Sequence, residues 1–231
     1  MNISSVYLIL PCHNRRETTQ IFLSDFLAQS CKRLHLIAID DGSKDDTSRT
    51  IQAMLPNATI LLGTGKWWWS GSLQNGLKHL QSQAIEDEDV VVFMNDDSRI
   101  PPDFIGDGVK TLTLFPDSLI QATIRCSDTK EVVDRGYIFE KESLSFRPVR
   151  QDEAPNCLTT NGLFARWGDL KRIGGFRPNL LPHYFSDYEF TFRAGTRGLK
   201  LIVCSELELT WQRKTTGYRQ IDANNSWEFW K

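Results

Sequence analysis

Asn95-Asp96-Asp97-Ser98 follows directly on Val90-Val91-Val92-Phe93-Met94, so two adjacent carboxylates stand at the end of a run that is apolar at every position. Neighbouring carboxylates raise each other's pKa unless a cation lies between them. Oxygen donors of this kind suit Mg²⁺ or Mn²⁺, ions commonly held by one or two carboxylates together with substrate phosphates. The chemistry expected is therefore the binding of a diphosphate-bearing substrate. Two more polar clusters end apolar runs in the same way: Pro11-Cys12-His13-Asn14-Arg15 and Asp40-Asp41-Gly42-Ser43. Any one of them is compatible with an ordinary loop or cap. Three at the carboxyl ends of strands in the first half mark a ligand-binding edge. Neither G-x-x-x-x-G-K-[ST] nor G-x-G-x-x-G occurs, and Gly63-Thr64-Gly65-Lys66 lacks the P-loop spacing, which disfavours P-loop and dinucleotide-binding chemistry.

The elements that must position these clusters alternate in type. Strands are expected over residues 6–10, 34–39, 59–62 and 90–94, with Pro11 ending the first. Helices are expected over 17–29, where Ile21, Phe22, Leu23, Phe26 and Leu27 make one apolar face, and over 70–84. Ser43-Lys44-Asp45-Asp46 fits a capping box for the helix between the second and third strands. Such alternation predicts βαβ units around a largely parallel sheet. Beyond Pro101-Pro102 the pattern changes to a helix over 103–114 and short strands over 119–124 and 132–139, which fit an antiparallel part. Residues 141–155 read as a polar excursion, 167–173 as a short helix, and 199–204 as a last strand. Ser186-Asp187-Tyr188-Glu189 has capping-box spacing before a helix reaching about Arg197.

The chain has 231 residues, 27 Lys+Arg against 29 Asp+Glu, a net charge of -2 and 40% hydrophobic residues. This is the profile of a folded globular protein without the polycationic footprint of a nucleic-acid binder. Apolar runs of about five residues fall far short of the roughly 20 that span a bilayer. Met1-Asn2-Ile3-Ser4-Ser5 offers no basic leader region, so a cytoplasmic location is expected. Five cysteines without C-x-x-C spacing read as reduced thiols rather than a disulfide framework or a zinc site. Without repeats or a linker, one α/β domain is the economical reading.

These segments together resemble the inverting glycosyltransferases of family 2, which have the GT-A fold. The resemblance rests on Leu10-Pro11-Cys12-His13-Asn14-Arg15, on Ile39-Asp40-Asp41-Gly42-Ser43 with Asp45-Asp46-Thr47, on Asn95-Asp96-Asp97 for the D-x-D segment, and on Gly174-Gly175-Phe176 and Ser186-Asp187-Tyr188-Glu189 for the G-G-F and E-D-x-[DE] segments. It covers most of residues 5–205 and implies a mostly parallel sheet flanked by helices with a small antiparallel part. Residues 1–100 would form the nucleotide-sugar half, 101–205 the acceptor and catalytic half, and 206–231 an aromatic tail.

Carried onto this sequence, the resemblance implies that Pro11, His13 and Arg15 line the nucleotide pocket and that Asp41 meets a pyrimidine base. A carboxylate can accept the imide N–H of uracil or thymine. Gly71, in Trp69-Ser70-Gly71-Ser72, would allow close approach of the donor. Asp97 would hold Mg²⁺ or Mn²⁺, and Asp96 would contact sugar or ribose. Asp187 matches the general base, and its place at a helix N-terminus favours the ionised form. Trp69, Asn161, His183 and Glu189 are assigned to the acceptor side. Two departures stand out: Asn95 replaces the first Asp of a literal D-x-D, and no histidine follows Cys204 to join the metal.

The expected function is inverting transfer of a sugar from a UDP- or dTDP-sugar to a hydroxyl of a glycan or lipid-linked glycan, in surface-polysaccharide synthesis. Trp67-Trp68-Trp69 reads as a sugar-stacking platform or as core. Trp211, Trp227, Phe229 and Trp230, with Arg213, Lys214, Arg219 and Lys231, suggest docking at a membrane surface, on a partner domain or on a second copy. A nucleotidyltransferase and a non-catalytic glycan-binding module are the competing readings.

Overall fold

The structure, a computed structural model, describes residues 5–150 and 153–212. In chain order the first half comprises β1 (Val6–Cys12), α1 (Arg16–Leu27), β2 (Leu34–Asp40), α2 (Thr47–Met54), β3 (Thr59–Leu62), α3 (Trp68–Gln81) and β4 (Val90–Phe93). Then follow β5 (Ser98–Arg99), α4 (Phe104–Leu114), β6 (Ser118–Cys126), β7 (Val132–Asp134), β8 (Tyr137–Glu140) and β9 (Ser145–Pro148). The chain closes with β10 (Leu163–Arg166), α5 (Trp167–Ile173), α6 (Ser186–Thr196) and β11 (Lys200–Trp211).

The main sheet runs β3-β2-β1-β4-β10-β6-β11-β5, with β7 on the side of β6. Strands β1 to β4 are mutually parallel, so β1, β2 and β4 all deliver their carboxyl ends to one edge. Alternate side chains feed two cores. Leu8 and Leu10 of β1 and Val92 of β4 pack with Phe22 and Phe26 of α1 and Phe104 of α4. Ile9 of β1 and Val91 and Phe93 of β4 pack on the other face with Leu73 and Leu77 of α3, Ile173 of α5 and Phe190 of α6. Burial on both faces explains why these strands are apolar at every position. Each fully buried Leu, Ile or Phe contributes about 1.5–3 kcal/mol.

Strand β1 continues through Pro11 to Cys12, past the expected end. Val6 N donates to Arg33 O, while Ile9 O accepts from Met94 N. Even-numbered residues of β1 therefore face β2, and odd-numbered ones face β4. The β1–β4 pairing ends at Ile9 and Phe93. Pro11 thus turns its missing N–H toward the side where β4 has already ended, where it breaks no ladder bond.

The second half differs more from the sequence expectation. The most consequential strand, β10, was assigned to nothing, yet it fills the gap between β4 and β6, antiparallel to both. Leu163, Phe164 and Ala165 are all fully buried. The expected strand over 132–139 is two short strands, and the supposed excursion contains β9, which pairs with β8 as a hairpin. Phe146 of that hairpin stacks on Phe185 and Tyr188 at the start of α6. Strand β11 extends beyond Cys204 to Trp211 through a register shift, and its end pairs with β5. Of the aromatic tail, Trp227, Phe229 and Trp230 and the basic Arg213, Lys214, Arg219 and Lys231 lie outside the described residues. All five cysteines are free, and among the described residues no helix is long and apolar enough to cross a membrane.

Candidate functional site

The turns after β1 and β2 are laced together. Asn14, at a left-handed φ of 51°, donates its N–H to Ser43 Oγ at 2.8 Å, and its side-chain oxygen accepts from Lys44 N at 2.7 Å. His13 Nδ1 lies 2.7 Å from Asp41 O. Asp40 holds the turn, accepting from Ser43 N at 2.9 Å and from the Ser48 hydroxyl. The expected capping box at 43–46 is absent: α2 follows a left-handed Asp46 with no side-chain cap, and Asp45 accepts from Thr47 N and Arg16 N. The buried Asp41 accepts three backbone N–H groups, Gly65 at 2.8 Å, Trp67 at 2.9 Å and Trp68 at 3.0 Å. The loop over 63–68 is thereby pinned to the end of β2. Gly63 makes this approach feasible, since a Cβ there would lie 2.4 Å from Asp41 Oδ1.

At the end of β4, Asp96 and Asp97 are both 5% exposed, and the cation beside them is a side chain of the protein. Arg15 Nε lies 2.8 Å from Asp96 Oδ1, and Arg15 Nη2 lies 3.4 Å from Asp97 Oδ2. Asp96 Oδ2 accepts from Thr19 Oγ1 of α1 at 2.8 Å. Burial nevertheless raises the Asp96 carboxyl to about 6, against the lowering effects of Arg15 and Thr19. The backbone of the turn is held from two sides. Asn161 Oδ1 accepts from Asn95 N at 3.2 Å and from Ser98 Oγ at 3.0 Å, and Gln212 N donates to Asp97 O at 3.0 Å.

Among the described residues no group of three His, Cys, Asp or Glu side chains is placed to hold a metal. Asn95 Oδ1, however, is buried without a hydrogen-bond partner in the same turn as the Asp97 carboxylate. Two such oxygens fit one side of a Mg²⁺ or Mn²⁺ shell that phosphate and water complete.

Asp187 is the second residue of α6, whose first residue, Ser186, follows Phe185 at a left-handed φ of 62°. Its Oδ1 accepts from Trp69 Nε1 at 2.9 Å and lies 3.2 Å from Ser186 Oγ. Its Oδ2 accepts from Thr160 Oγ1 at 2.9 Å and Thr160 N at 3.2 Å. Burial raises the Asp187 pKa, and these hydrogen bonds oppose the rise. Desolvation thus outweighs the hydrogen bonds that favour ionisation. Glu189 does not close a capping box: it forms a two-pronged pair with Arg193 and meets Arg177 at 3.2 Å. Arg193 also donates to the carbonyls of Ile173 and Gly175, which binds α6 to the Gly174-Gly175-Phe176 turn.

His183 packs against Trp68 and Tyr184, and burial lowers its pKa. Pro11 is buried within β1, and Gly71 is buried in α3 against Trp67 and Pro178. Asn161, expected on the acceptor side, is buried against the turn over 95–98, while Trp69 reaches Asp187. Sequence reasoning passed over Thr160, Thr19 and Arg193. The Asn161-Gly162 pair ahead of an apolar run was the one local signal for the first of these.

The fold brings these groups to one edge for a definable reason. Leu163 pairs with Phe93, so β10 enters the sheet where β4 leaves it. Gly162, at φ +72°, makes the entry: its N–H donates to Phe93 O at 2.9 Å. Asn161 therefore lies against the turn after β4, with Thr160 beside Asp187 and Trp69.

A sequence model of glycosyl transferase family 2 matches residues 7–168. This chain belongs to glycosyl transferase family 2. No curated protein is a significant sequence match. Among solved structures, this family 2 glycosyltransferase superposes on S. aureus TarS with a TM-score of 0.68 at 15% identity, covering 90% of this chain and 36% of TarS. It also superposes on residues 1–349 of TarS in complex with UDP, at a TM-score of 0.67, 16% identity and coverages of 90% and 60%. For the mannosyltransferase PcManGT from Pyrobaculum calidifontis in complex with GDP-Man and Mn²⁺, the TM-score is 0.67, the identity 19% and the coverages 90% and 57%. The common architecture is the GT-A fold, and this chain spans between 36% and 60% of these longer proteins.

Proposed function

We propose that this family 2 glycosyltransferase moves one sugar, with inversion, from a uridine or thymidine diphosphate-sugar to a hydroxyl of a glycan or lipid-linked glycan in surface-polysaccharide synthesis. The observation that carries the proposal is the placement of Asp187. It is a largely buried carboxylate at a helix start, linked through Trp69 to the donor-side helix and, through neighbouring residues Thr160 and Asn161, to the turn carrying Asp97.

Asp187 would take the proton of the acceptor hydroxyl as that oxygen bonds to the anomeric carbon. The bond from that carbon to the diphosphate breaks on the opposite face, and the nucleoside diphosphate leaves with the electron pair. Its raised pKa makes Asp187 a better proton acceptor than an exposed carboxylate once ionised. Arg15 brings positive charge to the strand edge expected to receive the diphosphate. Asp97 and Asn95 would hold Mg²⁺ or Mn²⁺, which when bound stabilises charge developing on the diphosphate. Asp41, with three of its four lone-pair sites filled by backbone N–H groups, retains one acceptor for a pyrimidine imide. The TarS fragment solved with UDP is consistent with a uridine donor, and the mannosyltransferase solved with GDP-Man and Mn²⁺ with a metal-assisted nucleotide-sugar reaction.

The test is a thermal-shift screen of uridine, thymidine, guanosine and cytidine diphosphates with and without Mn²⁺, since a ligand of the native state raises apparent stability. A Mn²⁺-dependent shift for the uridine or thymidine compound is expected. No shift at millimolar concentration would favour a glycan-binding module. The anomeric configuration of the product, read by NMR, decides inversion.

A further inference from the structure

We infer that Thr160 and Asn161 are paired positioning residues: Thr160 together with Trp69 sets the Asp187 carboxylate, and Asn161 sets the turn over 95–98. The inference rests on the reading of Asp187 as general base and deepens it. Inverting displacement requires the base and the diphosphate anchor to lie on opposite sides of one anomeric carbon, so their separation must be held closely. The separation is bridged by a single peptide unit. Thr160 gives Asp187 Oδ2 both its hydroxyl, at 2.9 Å, and its N–H, at 3.2 Å. The next residue, Asn161, accepts from Asn95 N and Ser98 Oγ, and its Nδ2 lies 2.9 Å from Ser98 Oγ.

That bridge is itself fixed. Thr160 and Asn161 are buried, Thr159 N donates to Gln121 Oε1 at 2.8 Å, and Gly162 N is tied to β4. Trp69 gives Asp187 Oδ1 a donor from α3, and its Nε1 also lies 3.2 Å from Thr160 Oγ1. Trp69 therefore acts through Asp187.

The titratable groups on the elements around Asp187 are Tyr188 and Glu189 of α6, His183 before it, Asp134 of β7 and Tyr137 of β8. Glu189 is engaged by Arg193 and Arg177, and Asp134 by Thr159 and Gln121. Neutral donors thus dominate the direct contacts of Asp187. Losing one of them should weaken the carboxylate as an acid.

The experiment follows two signals in the full chain, neither needing a substrate. The first is the pH titration of the Asp187 side-chain carboxyl by ¹³C NMR, assigned from its absence in Asp187→Asn. The second is hydrogen exchange of the Asn95 amide. Thr160→Val and Trp69→Phe should each weaken Asp187 as an acid about five-fold, moving its midpoint up by about 0.7 pH, and Thr160→Ser should restore it. Asn161→Ala should leave the Asp187 titration in place and speed Asn95 exchange about ten-fold or more. Thr160→Val should leave that exchange unchanged. Midpoints unmoved or lowered in both Thr160→Val and Trp69→Phe would overturn the role given to Thr160 and Trp69. Unaltered Asn95 exchange in Asn161→Ala would overturn that of Asn161. Trp69→Phe stands in for Thr160→Val where that variant does not fold. Failure of the wild type to bind uridine or thymidine diphosphate with Mn²⁺ would remove the donor reading and leave both signals interpretable.

Discussion

The guanidinium of Arg15 lies against the Asp96 carboxylate, Nε to Oδ1 at 2.8 Å, joining the turn after β1 to the turn after β4. A charge belonging to the protein thus stands beside the acidic pair. Removing one partner of a buried pair leaves an uncompensated charge, so Arg15→Met should lower stability by about 2–4 kcal/mol at neutral pH. Because burial raises the folded Asp96 pKa to about 6 from 3.8, the stability tied to this group is whole below the ordinary value and is lost as pH rises through about 6. Without Arg15 the folded pKa rises further. Urea unfolding in chelator should therefore show a larger deficit for Arg15→Met at pH 8 than at pH 5, and equal deficits would contradict the account.

Asp187→Asn should lower turnover by roughly 10²-fold or more while leaving the nucleoside diphosphate thermal shift intact. The same variant has a stability signature. The folded Asp187 pKa is raised, so wild-type stability falls as pH rises from the unfolded carboxylate value toward the folded one. Asparagine carries no such slope. The stability of wild type relative to Asp187→Asn should then decline with rising pH, and a flat difference would refute the raised pKa.

Asp97→Ala should abolish the Mn²⁺ dependence of uridine diphosphate binding. Asn95→Asp, which restores a literal D-x-D, should strengthen it. Calorimetry with and without Mn²⁺ reads both, and identical metal dependence in wild type and Asp97→Ala would exclude Asp97 as a ligand.

Asp41 has two measurable roles. Its alanine variant strands three backbone donors of the 63–68 loop and should cost about 2–4 kcal/mol in chemical unfolding. It should also narrow the preference for uridine over guanosine diphosphate in competition. Unchanged stability would mean that the loop has other anchors, and unchanged preference that the base is read elsewhere.

Much of this was legible along the chain because its causes are local. Strands β1 and β4 announce themselves as runs apolar at every position, β2 as a mostly apolar one, and α1 by its apolar face, so the edge where the turns meet followed from βαβ alternation. The errors fall where local pattern is silent. Strand β10 is four residues long and carries no periodicity, and β9 hides in a polar stretch because a hairpin at the rim buries only one aromatic face. The capping boxes expected at 43–46 and 186–189 were sound as local chemistry. They lost to other partners: Ser43 Oγ accepts from Asn14 N, Asp46 pairs with Arg49, and Glu189 pairs with Arg193 and Arg177.

The sequence by itself determined the order of strands and helices in the first half, the polar ends of β1, β2 and β4, the family, and the identity of the acidic residues at the edge. Each of these is written in neighbours a few positions apart. Only the tertiary structure decided what each carboxylate touches. Trp69 and Asp187 are 118 residues apart, Asn95 and Asn161 are 66 apart, and Arg15 meets Asp96 across the sheet. Such pairs leave no periodic trace. Asn161 meets Asn95 because one short antiparallel strand enters the sheet where a parallel one leaves, bringing Thr160 and Asn161 between Asp187 and the turn over 95–98.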